Sequence, residues 1–498
     1  MAKRRLGRSI LTVAEMRTAE AEAMASGISA AALMQRAGSE VANAILARLA
    51  PRPVVVMVGA GNNGGDGYVA AKALREAGWP VRIEALAAAK TAESTAAAKA
   101  WGGEVGPLSM HPHPGDLIVD ALFGAGLTRS LPTDIARLAR RIEAAGAAVV
   151  AVDIPSGVAG DTGKPLGDVA FRADFTVTFH RRRPAHVLQP GRGLCGEVIV
   201  SDIGLGDSVA ALIENEPEAW LVDFPWPKTS DYKQKRGRLI VVSGEAWSTG
   251  AGRLAARGGL RIGAGLVTVL SPADALMVNA SHLEAVMLQG FETDGELESA
   301  ASNAEAAVIG PAAGLTEATL SNVLALARTG AALVVDADAL SVFRDDPTEL
   351  FHVLDRDDVL TPHAGEFERI FPGLLAGSPE RISAAREAAR RAQAVVLLKG
   401  PDTVIAAPDG RAAVNLNGAP WLATAGSGDV LAGFTGGLMA QGMASYEAAC
   451  AAVWIHAACA EDFGPGLISE DLPDLAPAVL NRLLGASRRG AEHMNGST

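Results

Sequence analysis

The stretch Gly59-Ala-Gly-Asn-Asn-Gly-Gly-Asp-Gly67 follows a short apolar run, Val54-Val-Val-Met-Val58, and precedes a helix-like segment, Tyr68-Val-Ala-Ala-Lys-Ala-Leu-Arg75. A strand, a glycine-rich turn and a helix start in that order make a phosphate cradle, because the first helical N–H groups lack intrahelical partners and point at an anion. The paired Asn side chains and the Asp put hard oxygens beside that cradle, which suits a cation or a hydroxylated ligand rather than a bare dinucleotide. Asn-Gly and Asp-Gly also form tight turns. A turn alone does not need two Asn, an Asp and five Gly in nine positions.

A second signature, Thr424-Ala-Gly-Ser-Gly-Asp-Val-Leu-Ala-Gly433, again opens a helix from a glycine turn. The backbone N–H groups of Gly426 to Gly428 would neutralise charge on a transferring phosphoryl group, while Asp429 takes a proton from the acceptor hydroxyl. The helix dipole is expected to hold Asp429 ionised. A small-residue helix packed tightly against a sheet is the plainer alternative. Two unlike cradles imply two active sites.

Short β-branched runs alternate with Ala-rich helical stretches on either side of a break, so the expected fold is α/β with two parallel sheets. The first half offers strands at Val54–Val58, Val81–Ala85, Leu117–Asp120, Ala148–Ile154, Phe175–Phe179 and Glu197–Ile203, after a helical stretch from Thr12 to about Ala50. Glu216-Pro217, Phe224-Pro-Trp-Pro227 and the polar Lys228–Lys235 run predict an interdomain linker, with domains at 1–222 and 228–490. The second half offers strands at Arg238–Ser243, Gly265–Leu270, Ala306–Ile309, Ala332–Asp336, Val359–Thr361, Val395–Leu398 and Thr403–Ala406. The tail after Leu484 is polar and expected to be disordered.

A formal net charge of −12 argues against a nucleic-acid partner. Local basic runs occur at Lys3-Arg-Arg5 and His180-Arg-Arg-Arg183; the second either faces an anionic substrate or forms a solvated edge. The three cysteines, Cys195, Cys450 and Cys459, have no metal-ligand spacing and read as reduced thiols of a cytoplasmic protein. No signal core or membrane-length apolar stretch is seen, so no membrane partner is expected. A homo-oligomer is expected.

Two segments at strand ends add chemistry, since open parallel sheets bind ligands there. Asp120-Ala-Leu-Phe-Gly-Ala-Gly-Leu-Thr-Arg129 carries a carboxylate, a glycine turn and a basic side chain, and Val152-Asp-Ile-Pro-Ser-Gly157 brings Asp153 and Ser156. Asn63, Asp120 and Ser156 can offer oxygens to one cation, which leaves Asp153 free as an acid or base. Helix capping is the alternative for each Asp taken singly.

These three motifs in order resemble the NAD(P)H-hydrate epimerase family over roughly Thr12 to Leu221. The resemblance implies a Rossmann-like three-layer sandwich. It implies substrate contacts at Asn62, Asn63, Gly64, Gly65 and Asp66, at Gly124, Ala125, Gly126, Leu127, Thr128, Arg129 and Ser130, and at Asp153. It also implies a potassium ion on Asn63, Asp120 and Ser156. Ala125 stands where the family usually has Thr.

In the second half, Gly237–Glu245 with Thr249-Gly-Ala-Gly252, Gly310-Pro-Ala-Ala-Gly314, Thr361-Pro-His-Ala-Gly-Glu366 and Lys399-Gly-Pro-Asp-Thr403 all place turns at strand ends. His363 alone reads as a hydrogen-bonded turn residue and Lys399 as a phosphate ligand or a solvated strand end. With Gly426 to Asp429, the set resembles the ADP-dependent NAD(P)H-hydrate dehydratase family, of ribokinase-like fold, over about Lys233 to Leu484. That resemblance implies nucleotide binding at Lys399, Gly400, Pro401, Asp402, Thr403 and Gly428. It implies hydrate binding at Ala251, Gly314, His363 and Asp429, with ADP as co-substrate and Mg2+ beside it. The family usually has Gly-Pro-Gly-Leu-Gly at 310–314, Tyr at Ser248, Pro at Ala364 and Thr at Ser427. Together the resemblances imply repair of hydrated NADH and NADPH: the first domain interconverts the R and S hydrates, and the second returns the S hydrate to NAD(P)H with AMP and phosphate. A small-alcohol kinase fused to a non-catalytic Rossmann-like binding module is the rival reading.

Overall fold

A computed structural model describes residues 9–495. The basic run at Lys3–Arg5 lies outside them. The chain packs as two compact units, Ser9–Ala210 and the residues from Ala211 onward.

In the first unit seven strands, β1 (Val54–Val58), β2 (Val81–Ala85), β3 (Val105–Pro107), β4 (Leu117–Ala121), β5 (Ala148–Val152), β6 (Phe175–Phe179) and β7 (Glu197–Ser201), form one sheet in the order 3-2-1-4-5-6-7. Every pairing is parallel. Period-two alternation divides β1 between two cores. Val54, Val56 and Val58 pack with Leu33, Val41 and Leu74 on one face, while Val55 and Met57 pack with Ile135, Leu138 and Ile142 on the other. Helices Ala30–Arg48 and Asn62–Glu76 therefore cover one side and Thr133–Ala145 the other. This is the expected three-layer sandwich. The strand order reverses between β1 and β4, which opens a crevice at their carboxyl ends.

The second unit holds β8 (Leu212–Glu214), β9 (Arg238–Val242), β10 (Leu266–Pro272), β11 (Met287–Phe291), β12 (Ala306–Ile309), β13 (Ala332–Val335), β14 (Val359–Leu360), β15 (Val395–Leu398), β16 (Val404–Ala406) and β17 (Ala412–Val414), in the order 11-10-9-12-13-14-15-16-17-8. The pairings are parallel from β11 to β15 and antiparallel at β16 and β17, and β8 adds in parallel to β17. The switch point here lies between β9 and β12. Helix Ser427–Ala440 runs beneath it, so close that a Cβ on Gly436 would stand 2.6 Å from Val308 Cγ2.

Two expectations need correction. Residues 211–222 belong with the second unit, because β8 pairs with β17 and the Asn215 amide donates to Asn415 Oδ1 (2.9 Å) and to the Cys450 carbonyl (2.8 Å). Trp220 and Phe224, inside the supposed linker, are buried in that unit's core. The residues after Leu484 are also not irregular, since helix Leu472–Asn495 continues through them. A second unit begun at Ala211 is thus expected to be more stable than one begun at Pro217. Loss of the buried Leu212 side chain and the Asn215 hydrogen bonds costs about 3 kcal/mol. Equal urea midpoints for the two fragments would contradict this.

Candidate functional site

The first crevice is built from the ends of β1, β4 and β5. Helix Asn62–Glu76 begins at Asn62, with Gly61 as its N-cap. The Asn-Asn-Gly-Gly-Asp segment is thus the opening of a helix rather than a turn before one. Its glycines serve close packing: a Cβ on Gly64 would lie 2.0 Å from the Gly59 carbonyl oxygen, and one on Gly67 2.6 Å from Ala121 Cβ. Such crowding presses the helix start onto the strand ends. A Cβ on Gly124 would meet Asp153 Oδ2 at 3.0 Å and Asn63 Oδ1 at 3.2 Å, so these two side chains converge beside the glycine turn. Asn62 is exposed, as are Gly126, Thr128, Arg129 and Ser130, whereas Ala125 and Leu127 are half-buried.

Asp153 sits just past β5 with φ +66°, in the left-handed region. It is held firmly there. Its Oδ2 accepts from the Ala125 N–H (2.9 Å) and its Oδ1 from the Thr178 hydroxyl (3.2 Å), with the Arg183 guanidinium 3.5 Å away. Arg183 is only 3% exposed. His186 buttresses both, with Nδ1 accepting from the Arg183 N–H (2.8 Å) and Nε2 2.8 Å from the Asp153 carbonyl. Burial, then Arg183, pushes this imidazole down to about 4, which leaves it neutral. The basic run at 180–183 thus supplies a buried counter-ion to Asp153. Nothing in the sequence marks Thr178 or His186, and Glu20 is likewise unmarked.

Asp66 stands one helical turn from Asn63 on the same face. Burial, reinforced by the charges of Asp153 and Glu20, holds its carboxyl well above the usual range. One carboxylate paired with arginine beside another whose burial favours the protonated form is an arrangement able to divide acid and base roles.

Asp120 and Ser156 are fully buried. The Ser156 hydroxyl donates to Asp120 Oδ1 at 2.7 Å and the Ser156 N–H to Oδ2 at 2.8 Å, while the Leu122 N–H reaches Oδ1 at 3.3 Å. All three partners are neutral. Burial accordingly pushes the Asp120 carboxyl up to about 6 in spite of the hydrogen bonds.

The second crevice centres on Lys399 and Asp429. Gly426, at φ +85°, caps helix Ser427–Ala440 and sets Asp429 in its first turn. A Cβ on Gly428 would be 3.5 Å from Lys399 Nζ. Lys399 itself pairs with Asp336 at 2.7 Å and approaches Glu366 at 3.8 Å. Burial, then Asp336, raises the Asp429 carboxyl to about 6, with Lys399 pulling the other way. Asp429 is thus still mostly ionised at neutral pH, with burial rather than the helix dipole setting where it titrates. A dipole effect of about 0.3–1 kcal/mol is smaller than the desolvation it opposes.

The other expected ligands divide. His363 caps helix Ala364–Ile370, its Nδ1 accepting from the Gly365 N–H (2.9 Å) and the Glu366 N–H (3.3 Å), while its imidazole stays half-exposed at the crevice edge. Asp402 is buried and paired with Arg381 at 3.1 Å, and Arg381 also donates to the Lys399 carbonyl at 2.9 Å. Asp402 therefore braces the 399–403 turn from below, while Gly400 and Pro401 are exposed on it. Thr403 closes the turn by donating to the Gly400 carbonyl at 2.8 Å. The Gly314 N–H donates to Asp338 at 2.9 Å, and Ala251 lies in the first turn of helix Thr249–Arg261. Ala312 takes φ +52°, a region that favours the glycine usual there. Asp336, Asp338 and Glu366 had no role assigned from sequence.

Two doubly wound α/β units, each with a carboxylate poised over its switch-point crevice, define an enzyme with two nucleotide-type sites in one chain. Residues 30–185 match the family model described as YjeF-related protein N-terminus, and residues 239–474 that of NAD(P)H-hydrate dehydratase. The chain is 35% identical to the bifunctional NAD(P)H-hydrate repair enzyme of Thermofilum pendens, over 95% of this chain and 96% of that one. It is 33% identical to the enzyme of the same description from Escherichia coli, over 91% and 90%. The solved ADP/ATP-dependent NAD(P)H-hydrate dehydratase of Bacillus subtilis, co-crystallised with ATP and Mg2+, aligns with a TM-score of 0.47 at 26% identity, over 54% of this chain and 98% of that one. The chain belongs to the family of bifunctional NAD(P)H-hydrate repair enzymes.

Proposed function

We propose that the first unit interconverts the R and S hydrates of NADH and NADPH and that the second dehydrates the S hydrate at the expense of ADP. The observation that carries this reading is the pairing of both crevices in one chain with relatives similar along its whole length. At the first site the hydroxyl proton of the hydrate passes to Asp153. The bond between that carbon and the ring nitrogen breaks to give an aldehyde, and Asp66, whose burial favours its protonated form, protonates the nitrogen. Reclosure on the other face of the carbonyl reverses both transfers and inverts the centre.

At the second site Asp429 takes the hydroxyl proton as the oxygen attacks the terminal phosphorus of ADP, and AMP leaves. Lys399 and the N–H groups at Gly426–Gly428 offset the charge that develops on the phosphoryl group. The phosphorylated hydrate then expels phosphate, pushed by the ring nitrogen lone pair, and a proton leaves the adjacent carbon to restore the double bond. Mg2+ would enter with ADP as part of that substrate. Incubating the S hydrate with ADP should yield NADH, AMP and inorganic phosphate in equal amounts. A small-alcohol kinase would instead accumulate a phosphorylated alcohol with no free phosphate, and nothing in the geometry favours that rival.

Potassium fits the first site. Asp120 is a buried carboxylate with only neutral partners, Asn63 carries a buried Nδ2 with no partner, and an amide can be turned end for end to offer its oxygen. Bound there, the ion would supply positive charge beside the substrate. Epimerisation is expected to be faster in potassium than in a bulky organic cation, and Asp120→Ala to lose most of that difference. Asp120→Asn, which keeps an acceptor for Ser156, separates lost charge from lost structure. Equal rates in both cations with the unaltered protein would remove the ion from the account.

A further inference from the structure

Trp247 is fully exposed, at 100% relative accessibility. A bare indole is an uncommon use of the largest apolar side chain, and its flat face is open to a stacked ring. It occupies the third position of the turn Glu245–Ser248, closed by the Ser248 N–H donating to the Glu245 carbonyl at 2.8 Å and tied by the Ala246 N–H to Asp274 Oδ2 at 3.1 Å. That turn follows β9 and is pressed against the turn after β12, since a Cβ on Gly244 would stand 2.1 Å from the Ala312 carbonyl oxygen. Leu315, just past Gly314, is a second exposed apolar side chain there, at 57%. Helix Thr249–Arg261 leads from Trp247 to Leu254, whose Cδ1 lies 2.8 Å from a Cβ placed on Gly426 at the start of the Asp429 helix. Trp247 therefore stands on the turn after β9 that meets the turn after β12, directly ahead of the helix that packs against the start of the Asp429 helix.

We propose that Trp247 is the platform on which the adenine ring of the hydrated dinucleotide stacks while its damaged ring is held at Asp429. This rests on the dehydratase reading above. The hydrated ring is not aromatic and its hydroxyl must reach Asp429, so adenine is the aromatic surface left, at the far end of an extended molecule. The adenine of ADP is the other possible source of the same flat face. The ADP phosphates are assigned to Lys399, which ends β15, four strands from β9, and the KM for ADP tells the two sources apart. At 4.7–4.9 Å per strand, four strands are a lateral separation of roughly 19 Å.

The test uses the full chain with Trp247→Ala and Trp247→Phe. Base–aromatic stacking predicts that Trp247→Ala raises the KM for the S hydrate by about 5- to 100-fold, with kcat and the KM for ADP unchanged. Trp247→Phe should stay within about threefold of the original value. The hydrate, added without ADP, should shield an exposed indole from acrylamide quenching in the unaltered protein and not in Trp247→Ala. Unchanged hydrate KM and shielding in Trp247→Ala would overturn the proposal, as would a rise in the KM for ADP alone. A changed sedimentation coefficient with unchanged kinetics would also overturn it and assign the indole to contacts between copies. The shielding readout needs no turnover. A protein that shields Trp247 with hydrate yet never forms NADH would therefore sink the dehydratase reading and leave the stacking contact standing.

Discussion

Asp429→Asn is expected to lower the single-turnover rate of S-hydrate dehydration by about 10²- to 10⁴-fold, the usual worth of a positioned general base. ADP affinity should change little, because the glycine N–H groups at 426–428 and Lys399 do not depend on the Asp429 charge for their placement. Lys399 is fixed by Asp336 at 2.7 Å whether or not Asp429 is ionised. With the Asp429 carboxyl raised to about 6, the base is mostly ionised at neutral pH and protonates as the pH falls. The rate of the unaltered protein should therefore be level above pH 7 and fall about tenfold per unit well below pH 6, and Asp429→Asn should lose that acid limb. Near-normal turnover in the variant would move the base elsewhere. Collapse of ADP binding would make Asp429 structural.

Asp153→Asn is expected to slow exchange between the epimers by about 10²-fold or more and to leave dehydration of the S hydrate intact. Asparagine suits the position sterically, because it tolerates the left-handed backbone that Asp153 adopts at φ +66°. Its amide oxygen can still accept from the Ala125 N–H. It cannot take up a proton near neutral pH, and it leaves the buried Arg183 without its counter-ion. The structural cost is monitored by thermal unfolding, and Asp153→Asn protein that unfolds like the parent yet equilibrates the epimers at the parental rate would exclude Asp153 as the acid or base.

The sheets and their ligand-binding ends were legible because parallel strands buried on both faces read as unbroken apolar runs, as in Val54–Val58 and Val395–Leu398. What escaped was of three kinds. Short strands such as Leu212–Glu214, at the sheet edge, and its neighbour Ala412–Val414 carry too few residues for a pattern, and Pro-rich punctuation hid the burial of Trp220 and Phe224. The glycines of 61–67 looked like turn formers, since local sequence does not reveal that their missing side chains make room for Gly59 and Ala121. The supporting residues of both sites were not visible because they act through distant partners. Arg183 meets Asp153, and Asp336 meets Lys399, only once the sheet has brought separate strand ends together.

The most direct measurement of the whole account starts from an equilibrium mixture of R and S hydrates of NADH and follows the return of NADH absorbance with excess ADP. The intact chain is predicted to convert the entire mixture in one continuous phase. Asp153→Asn is predicted to convert the S fraction at the parental rate and then slow to the unassisted rate of epimer exchange, and Asp429→Asn to show almost no conversion. Conversion by the intact chain that halts at the S fraction, or proceeds without ADP, would contradict the assignment of two coupled repair reactions to this protein.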